Sequence, residues 1–274
     1  MKNKFGLAGM ASAVLIVAAV SCSKSNTATN ATVSKHWDVV LNSKFEAPAP
    51  ASRTETGTAS LDLYSNNTMK YTITVNGLAA GDYLNAAHIH TGDPLTSGPV
   101  ILSFNPTFTG STATGTVNVR STLADSLKNA TTDFYVNVHS TQQPTGLLRG
   151  QVNNPVTFAQ DVTLSGTNEV PAVNTTATGT ALFRQTADKT LYTKYSITGL
   201  EMGDTLTAAH VHTGAAGTNG AVIIPVAASA ADFGKVLKIT GISDANITLL
   251  TTGSVYANAH SKNHPSGLVR GQLR

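Results

Sequence analysis

Residues 134–152 read FYVNVHSTQQPTGLLRGQV. In its first six residues, apolar Phe134, Val136 and Val138 alternate with Tyr135, Asn137 and His139. Side chains alternate across a strand, so the two sets face opposite sides of a sheet. Pro144 and Gly146 then shape a tight turn, and LLRGQV returns as a closing strand that brings Arg149 and Gln151 beside the His139 strand. Residues 255–273 repeat the pattern as VYANAHSKNHPSGLVRGQL, with Pro265 and Gly267 at the turn and Arg270 and Gln272 beyond it. Paired strands that recur in this way predict two copies of one antiparallel unit.

The repeat extends outward from there. His139, Arg149 and Gln151 match His260, Arg270 and Gln272 at an offset of 121 residues. Further upstream, Gly57, Gly77, Gly81-Asp82 and His88 match Gly179, Gly199, Gly203-Asp204 and His210 at an offset of 122. Glu46-Ala47-Pro48-Ala49 pairs with Glu169-Val170-Pro171-Ala172. A period of roughly 115 residues is far too long for a solenoid. It describes a tandem of two domains, expected over 34–153 and 156–274 and joined by the breaker Asn153-Asn154-Pro155.

Short strands dominate each unit. LDLYSNNTMKYTITVNGL (61–78) alternates around Ser65-Asn66-Asn67, and ALFRQTADKTLYTKYSITGL (181–200) does so around Thr186-Ala187-Asp188. Both read as β-hairpins. Helix is expected only in STLADSLKNATT (121–132) and SDANITLLTTG (243–253), at matching places in the two units. The expected fold class is therefore all-β, as two tandem antiparallel β-sandwich or barrel-like domains.

The N-terminus reads as an export signal. Lys2 and Lys4 precede an uncharged, small-residue-rich run from Phe5 to Val20, too short for a confident membrane span. The segment 1–22 ends in Ala19-Val20-Ser21-Cys22, which resembles a bacterial lipobox, and Cys22 is the one cysteine in the chain. Lipidation of Cys22 gives that lone thiol a purpose. The polar stretch 23–33 then reads as a flexible tether. The implied location is exported and lipid-anchored to a bacterial membrane, at the periplasm or cell surface, with an envelope or extracellular ligand as partner. Charged residues make up 12% and the formal net charge is +3, with no basic cluster interleaved with aromatics, so no nucleic-acid partner is expected.

Six of the eight histidines fall in two matched triplets. AAHIHTG (86–92) and AAHVHTG (208–214) each place two histidines two residues apart, hence on one strand face. His139 and His260, on separate strands, supply the third imidazole. His88, His90 and His139, and likewise His210, His212 and His260, suit zinc or copper as a three-histidine set. The other reading is a structural polar network copied by duplication, since no acidic ligand accompanies both triplets: Asp93 in unit one becomes Ala215 in unit two. Arg149 and Arg270 need partners within a strand, and Glu46 and Glu169 are the expected ones, tying the last strand to the first, with Gln151 and Gln272 completing the hydrogen bonds. His36 and His264 have no counterparts and are expected at the surface.

No G-x-S-x-G elbow, phosphate-cradling glycine loop or H-E-x-x-H occurs, and the acids are scattered. An enzyme is therefore not expected.

NEVPAV (168–173), AAHVHTG and VYANAHSKNHPSGLVRGQL together resemble the CHRD domain, first named in chordin and also found in microbial secreted proteins. Unit one matches in AAHIHTG and FYVNVHSTQQPTGLLRGQV, with FEAPAP (45–50) at its opening. The resemblance implies two β-sandwich-like extracellular modules without established enzymatic activity. The growth-factor-binding modules that accompany these domains in chordin are not carried over to this chain. AAHIHTGDP (86–94) is also similar to the His-x-His strand of Cu/Zn superoxide dismutases, but that family's additional histidines, zinc-binding Asp and disulfide have no counterpart in both units. The leading expectation is a non-catalytic cell-envelope binding or structural protein. Metal binding is the alternative, and dismutase-like redox chemistry a further one.

Overall fold

The structure, a computed structural model, describes residues 1, 31–129 and 132–274. Cys22, the rest of the expected signal after Met1 and the expected tether up to residue 30 lie outside the described residues. Among the described residues, no helix is long and apolar enough to cross a membrane.

The first unit runs β1 (Val33–Asn42), β2 (Thr56–Tyr64), β3 (Thr68–Asn76), β4 (Leu84–Thr91), β5 (Val100–Ser103), β6 (Thr112–Asn118), α1 (Ser121–Asn129), β7 (Phe134–Ser140) and β8 (Leu148–Gln151). The second repeats this order: β9 (Val156–Ser165), β10 (Thr178–Thr186), β11 (Leu191–Thr198), β12 (Leu206–Thr213), β13 (Val222–Ala227), β14 (Leu237–Ile239), α2 (Asp244–Thr252), β15 (Val255–Ser261) and β16 (Val269–Gln272). Each unit forms one eight-stranded sheet, in the orders β5-β4-β7-β8-β1-β2-β3-β6 and β13-β12-β15-β16-β9-β10-β11-β14. The two sheets are antiparallel and curl into a half-barrel and a near-barrel. The expected all-β tandem is thus observed, and both helices fall inside their expected segments. Val33 already pairs with Tyr64, so β1 begins within the stretch expected to be tether.

Alternation sets which face is buried. Along β2, Ala59, Leu61 and Leu63 point into the core, and along β3 Met69, Tyr71, Ile73 and Val75 do the same. Curling brings the far ends of the sheet together: the Tyr71 ring on β3 lies 4.9 Å from Phe104, just past β5, and its hydroxyl donates to the Phe104 carbonyl at 3.1 Å. α1 adds Leu123, Ala124 and Leu127 to the same core. Burying such side chains is worth about 1.5–3 kcal/mol each, which allows a chain with one cysteine to hold its fold without an internal disulfide.

The domains also touch. The side chain of Arg184 on β10, fully buried, donates to Asp161 Oδ1 of β9 at 2.6 Å and to the backbone carbonyl of Glu46 in the first domain. Asp161 Oδ2 in turn accepts from the Ala49 amide at 2.8 Å. Near the link, Trp37 Nε1 donates to Asn153 Oδ1 at 3.0 Å.

Candidate functional site

In β4, Ile89 is buried in the core, so His88 and His90 emerge on the opposite, outer face of the sheet. β4 pairs with β7 so that His90 faces Tyr135, His88 faces Asn137 and Ala86 faces His139. This register sets His139 diagonally from His88. β12 and β15 repeat it: His212 faces Tyr256, His210 faces Asn258 and Ala208 faces His260. The expected triplets are therefore brought together, and within each one a nitrogen from each of the three rings lies within 4.8 Å of the other two. Ring centroids agree closely between copies, at 5.1 Å for His88–His139 and 4.9 Å for His210–His260.

The backbone fixes the tautomers. His90 Nδ1 is 2.9 Å from the Gly98 carbonyl, and His139 Nδ1 is 3.0 Å from the Pro144 carbonyl. A carbonyl only accepts, so both Nδ1 atoms carry the proton and both Nε2 atoms keep a lone pair. His212 with Gly220 and His260 with Pro265 repeat these bonds, each at 3.0 Å. His88 Nδ1 lies 3.2 Å from His139 Nε2, and His210 Nδ1 lies 3.0 Å from His260 Nε2. Nε2 of His90 and of His212 are buried without any hydrogen-bond partner. An unpaired buried polar atom costs about 1–3 kcal/mol, and here the same cost appears at matching positions.

The electrostatics favour neutral rings. Burial pushes the His88, His139 and His260 imidazoles below their ordinary value and takes His210 down to about 4, with the adjacent imidazoles adding to the shift. Burial also lowers His90, and the charge of Arg149 lowers it further. Neutral imidazole is the form that ligates metal.

Beneath each triplet sits a cation–aromatic stack that sequence reasoning missed. His90 lies nearly parallel to Tyr135, 9° apart with centroids at 4.9 Å, and the Arg149 guanidinium carbon is 3.5 Å from the same ring. Because β4 and β8 flank β7 on opposite sides, Tyr135 is sandwiched between them. His212, Tyr256 and Arg270 repeat the stack at 4.8 Å and 3.3 Å. The signal was available, since Tyr135 and Tyr256 also match at the 121-residue offset.

The expected Arg149–Glu46 and Arg270–Glu169 ion pairs do not form as contacts. Arg149 directs its donors to the Asp93 and Thr96 carbonyls and to Gln151 Oε1, and Arg270 directs its own to the Ala215 and Thr218 carbonyls. Gln151 and Gln272 complete the clamp by donating to the Gly92 and Gly214 carbonyls. These side chains hold the loop after β4 or β12, the loop whose carbonyl orients His90 or His212. Glu46 instead accepts from Asn137 Nδ2 at 2.5 Å, and Glu169 keeps a buried oxygen without a partner. Burial raises both carboxyls to about 7, opposed by the nearby arginine charge.

Asp82 anchors the turn that follows His139. Its carboxylate accepts from Arg53, Ser140, Thr141 and the Gln142 amide, and these bonds, led by Ser140, outweigh burial and hold it well below the usual carboxylate range. His36 is half-exposed, as expected, and bridges Asp38 and Asp62, while His264, also expected at the surface, is largely covered, its Nε2 making no hydrogen bond and lying 3.9 Å from Glu201 Oε1.

Comparison with known proteins gives one result. No curated protein and no solved structure matched the chain. The family model described as the CHRD domain matches residues 37–152 and again residues 161–273, which take in both histidine clusters and all of both sheets except the starts of β1 and β9. The chain belongs to the CHRD-domain family, as two tandem copies of that domain.

Proposed function

We propose that the protein is a non-catalytic binding protein of the bacterial envelope, and that each domain takes one zinc or copper ion between its three histidines. The carrying observation is the buried, unpartnered Nε2 of His90 and of His212, each made a lone-pair donor by a carbonyl on its Nδ1. A structural polar network would satisfy that atom, whereas a metal ion uses it. Backbone carbonyls on the far nitrogen are also the usual outer support of a ligating histidine. The spacings agree with this reading. Two nitrogens about 2.0–2.1 Å from a tetrahedral ion stand about 3.3–3.4 Å apart. The His88 Nδ1–His139 Nε2 and His210 Nδ1–His260 Nε2 pairs, at 3.2 Å and 3.0 Å, are close to that, and ligation through them moves the proton that bridges each pair from Nδ1 of His88 or His210 to its Nε2.

Among the described residues, each cluster of metal-ligating side chains consists of histidine alone, without the carboxylate a dismutase-type zinc site uses. The reading is therefore binding rather than redox catalysis. Lipidation at Cys22 would place the two domains at a membrane surface, held by the tether.

Equilibrium dialysis of the purified full chain against zinc and against copper tests the proposal. It predicts about two ions per chain, falling to about one in H88A/H90A and again in H210A/H212A, with the fold retained. A chain that takes up neither ion while correctly folded overturns it.

A further inference from the structure

A cleft lies between the domains, away from the histidines. The cis-proline loop of the first domain, Ala47-Pro48-Ala49, and the buried Leu95 wall off a cleft of about 400 Å³ against the outer face of β9, β10 and β11. That volume lies within the roughly 300–1,000 Å³ of small-molecule sites, which favour domain interfaces. The floor consists of two cross-strand rows. One is Asp161–Leu182–Lys194, and the other is Thr163–Thr180–Ser196.

The rows have distinct chemistry. Asp161 is consumed by Arg184 and by the Ala49 amide, which also lock the two walls together. Lys194 remains as the cation of the cleft, with no salt bridge among the described residues, beside a strip of three hydroxyls. Pro48, Leu95 and Leu182 give apolar surface around them.

Duplication alone does not account for these residues. At the equivalent register of the first domain, Asp38 pairs with Ser60 and Ser60 with Thr72. Asp161 thus has an acidic counterpart, but Leu182 and Lys194 replace a serine and a threonine. The apolar and cationic residues occur only in the copy that the other domain walls in.

We infer that this interdomain cleft binds a small sugar acid of the hexuronic class. Its carboxylate pairs with Lys194, its hydroxyls meet Thr163, Thr180 and Ser196, and its C–H face rests on Pro48 and Leu95. The site is independent of the metal reading.

Calorimetric titration of the full chain with galacturonate, and with galactose as the neutral control, tests the inference. Saturable binding of one galacturonate per chain is expected. A charge-assisted hydrogen bond predicts binding about tenfold weaker for galactose and for K194M, and weakening in T180V that spares neither ligand. H88A/H90A is expected to bind galacturonate like the unaltered chain, so a failed metal site and a failed cleft are told apart. No saturable binding at millimolar galacturonate, equal binding of galactose, or unchanged binding by K194M would each overturn the inference.

Discussion

Arg149 sets its guanidinium carbon 3.5 Å from the centre of the Tyr135 ring, on whose other face His90 stacks. The arginine is 1% exposed and also carries the carbonyls of Asp93 and Thr96. It therefore links the loop that orients His90 to the ring that supports it. Arg149→Met keeps most of the volume but leaves those carbonyls unpaired, at a cost of roughly 2–4 kcal/mol in urea denaturation. Because outer-shell partners typically contribute 10–100-fold to metal affinity, the zinc affinity of the first domain should fall by about that factor while the second keeps its own. Equal losses at both sites would show that the stack does not act locally.

Opposing pH dependences are built into each domain. Five of the cluster histidines, His88, His90, His139, His210 and His260, titrate below their ordinary value when folded, His210 at about 4, so the unfolded chain takes up protons first and stability falls as pH drops from about 6.5 towards 4. Glu46 and Glu169 act in the other direction. Raised from 4.5 to about 7, they hold their protons longer in the folded chain, and their contribution is lost as pH rises through about 7. Glu169→Gln should therefore stabilise the protein at about pH 8, on the order of 2 kcal/mol, with little effect near pH 4. Chemical denaturation at the two pH values checks this, and an equal effect at both would refute the burial argument.

Gly267 follows the turn after His260 with φ of 143°, and a Cβ there would lie 2.6 Å from Glu169 Oε1 and 2.7 Å from Oε2. Gly267→Ala should cost about 1–3 kcal/mol in thermal or urea unfolding. Shortening the acid as well, in Glu169→Ala, should recover part of that loss, because the two changes share one contact. Strictly additive effects would place the cost in the backbone alone.

Arg184 joins the domains through Asp161 and the Glu46 carbonyl. Arg184→Met leaves the acid without its closest cation and should cost roughly 3 kcal/mol. Calorimetry should also resolve two transitions where the unaltered chain shows stronger coupling between its domains. A single, unshifted transition would mean that the clamp contributes nothing.

Much of this architecture was legible in the sequence because it rests on periodicity. Alternation in FYVNVH gave the face that carries His139, and the matched offsets gave the duplication and the histidine triplets. What escaped rests on partners that have no side-chain signature. The carbonyls of Gly98, Pro144, Asp93 and Thr96 set the histidine tautomers and hold Arg149, and nothing in residue identity marks a carbonyl. Glu46 was a reasonable partner for Arg149 on charge alone, but hydrogen-bond geometry gave the arginine to the loop and the carboxylate to Asn137. Arg184 was missed for a different reason. Its counterpart is Asp62, so a reading built on what the copies share passes over the residue that joins them.

The most direct test of the metal-site account is imidazole nitrogen NMR during zinc titration of the full chain. The account predicts that Nε2 of His90, His139, His212 and His260 shifts to metal-bound values, complete at about two equivalents, while the matching Nδ1–H signals persist on their carbonyls. Nε2 signals that stay unmoved at saturating zinc, or Nδ1 protons lost in their place, would contradict it.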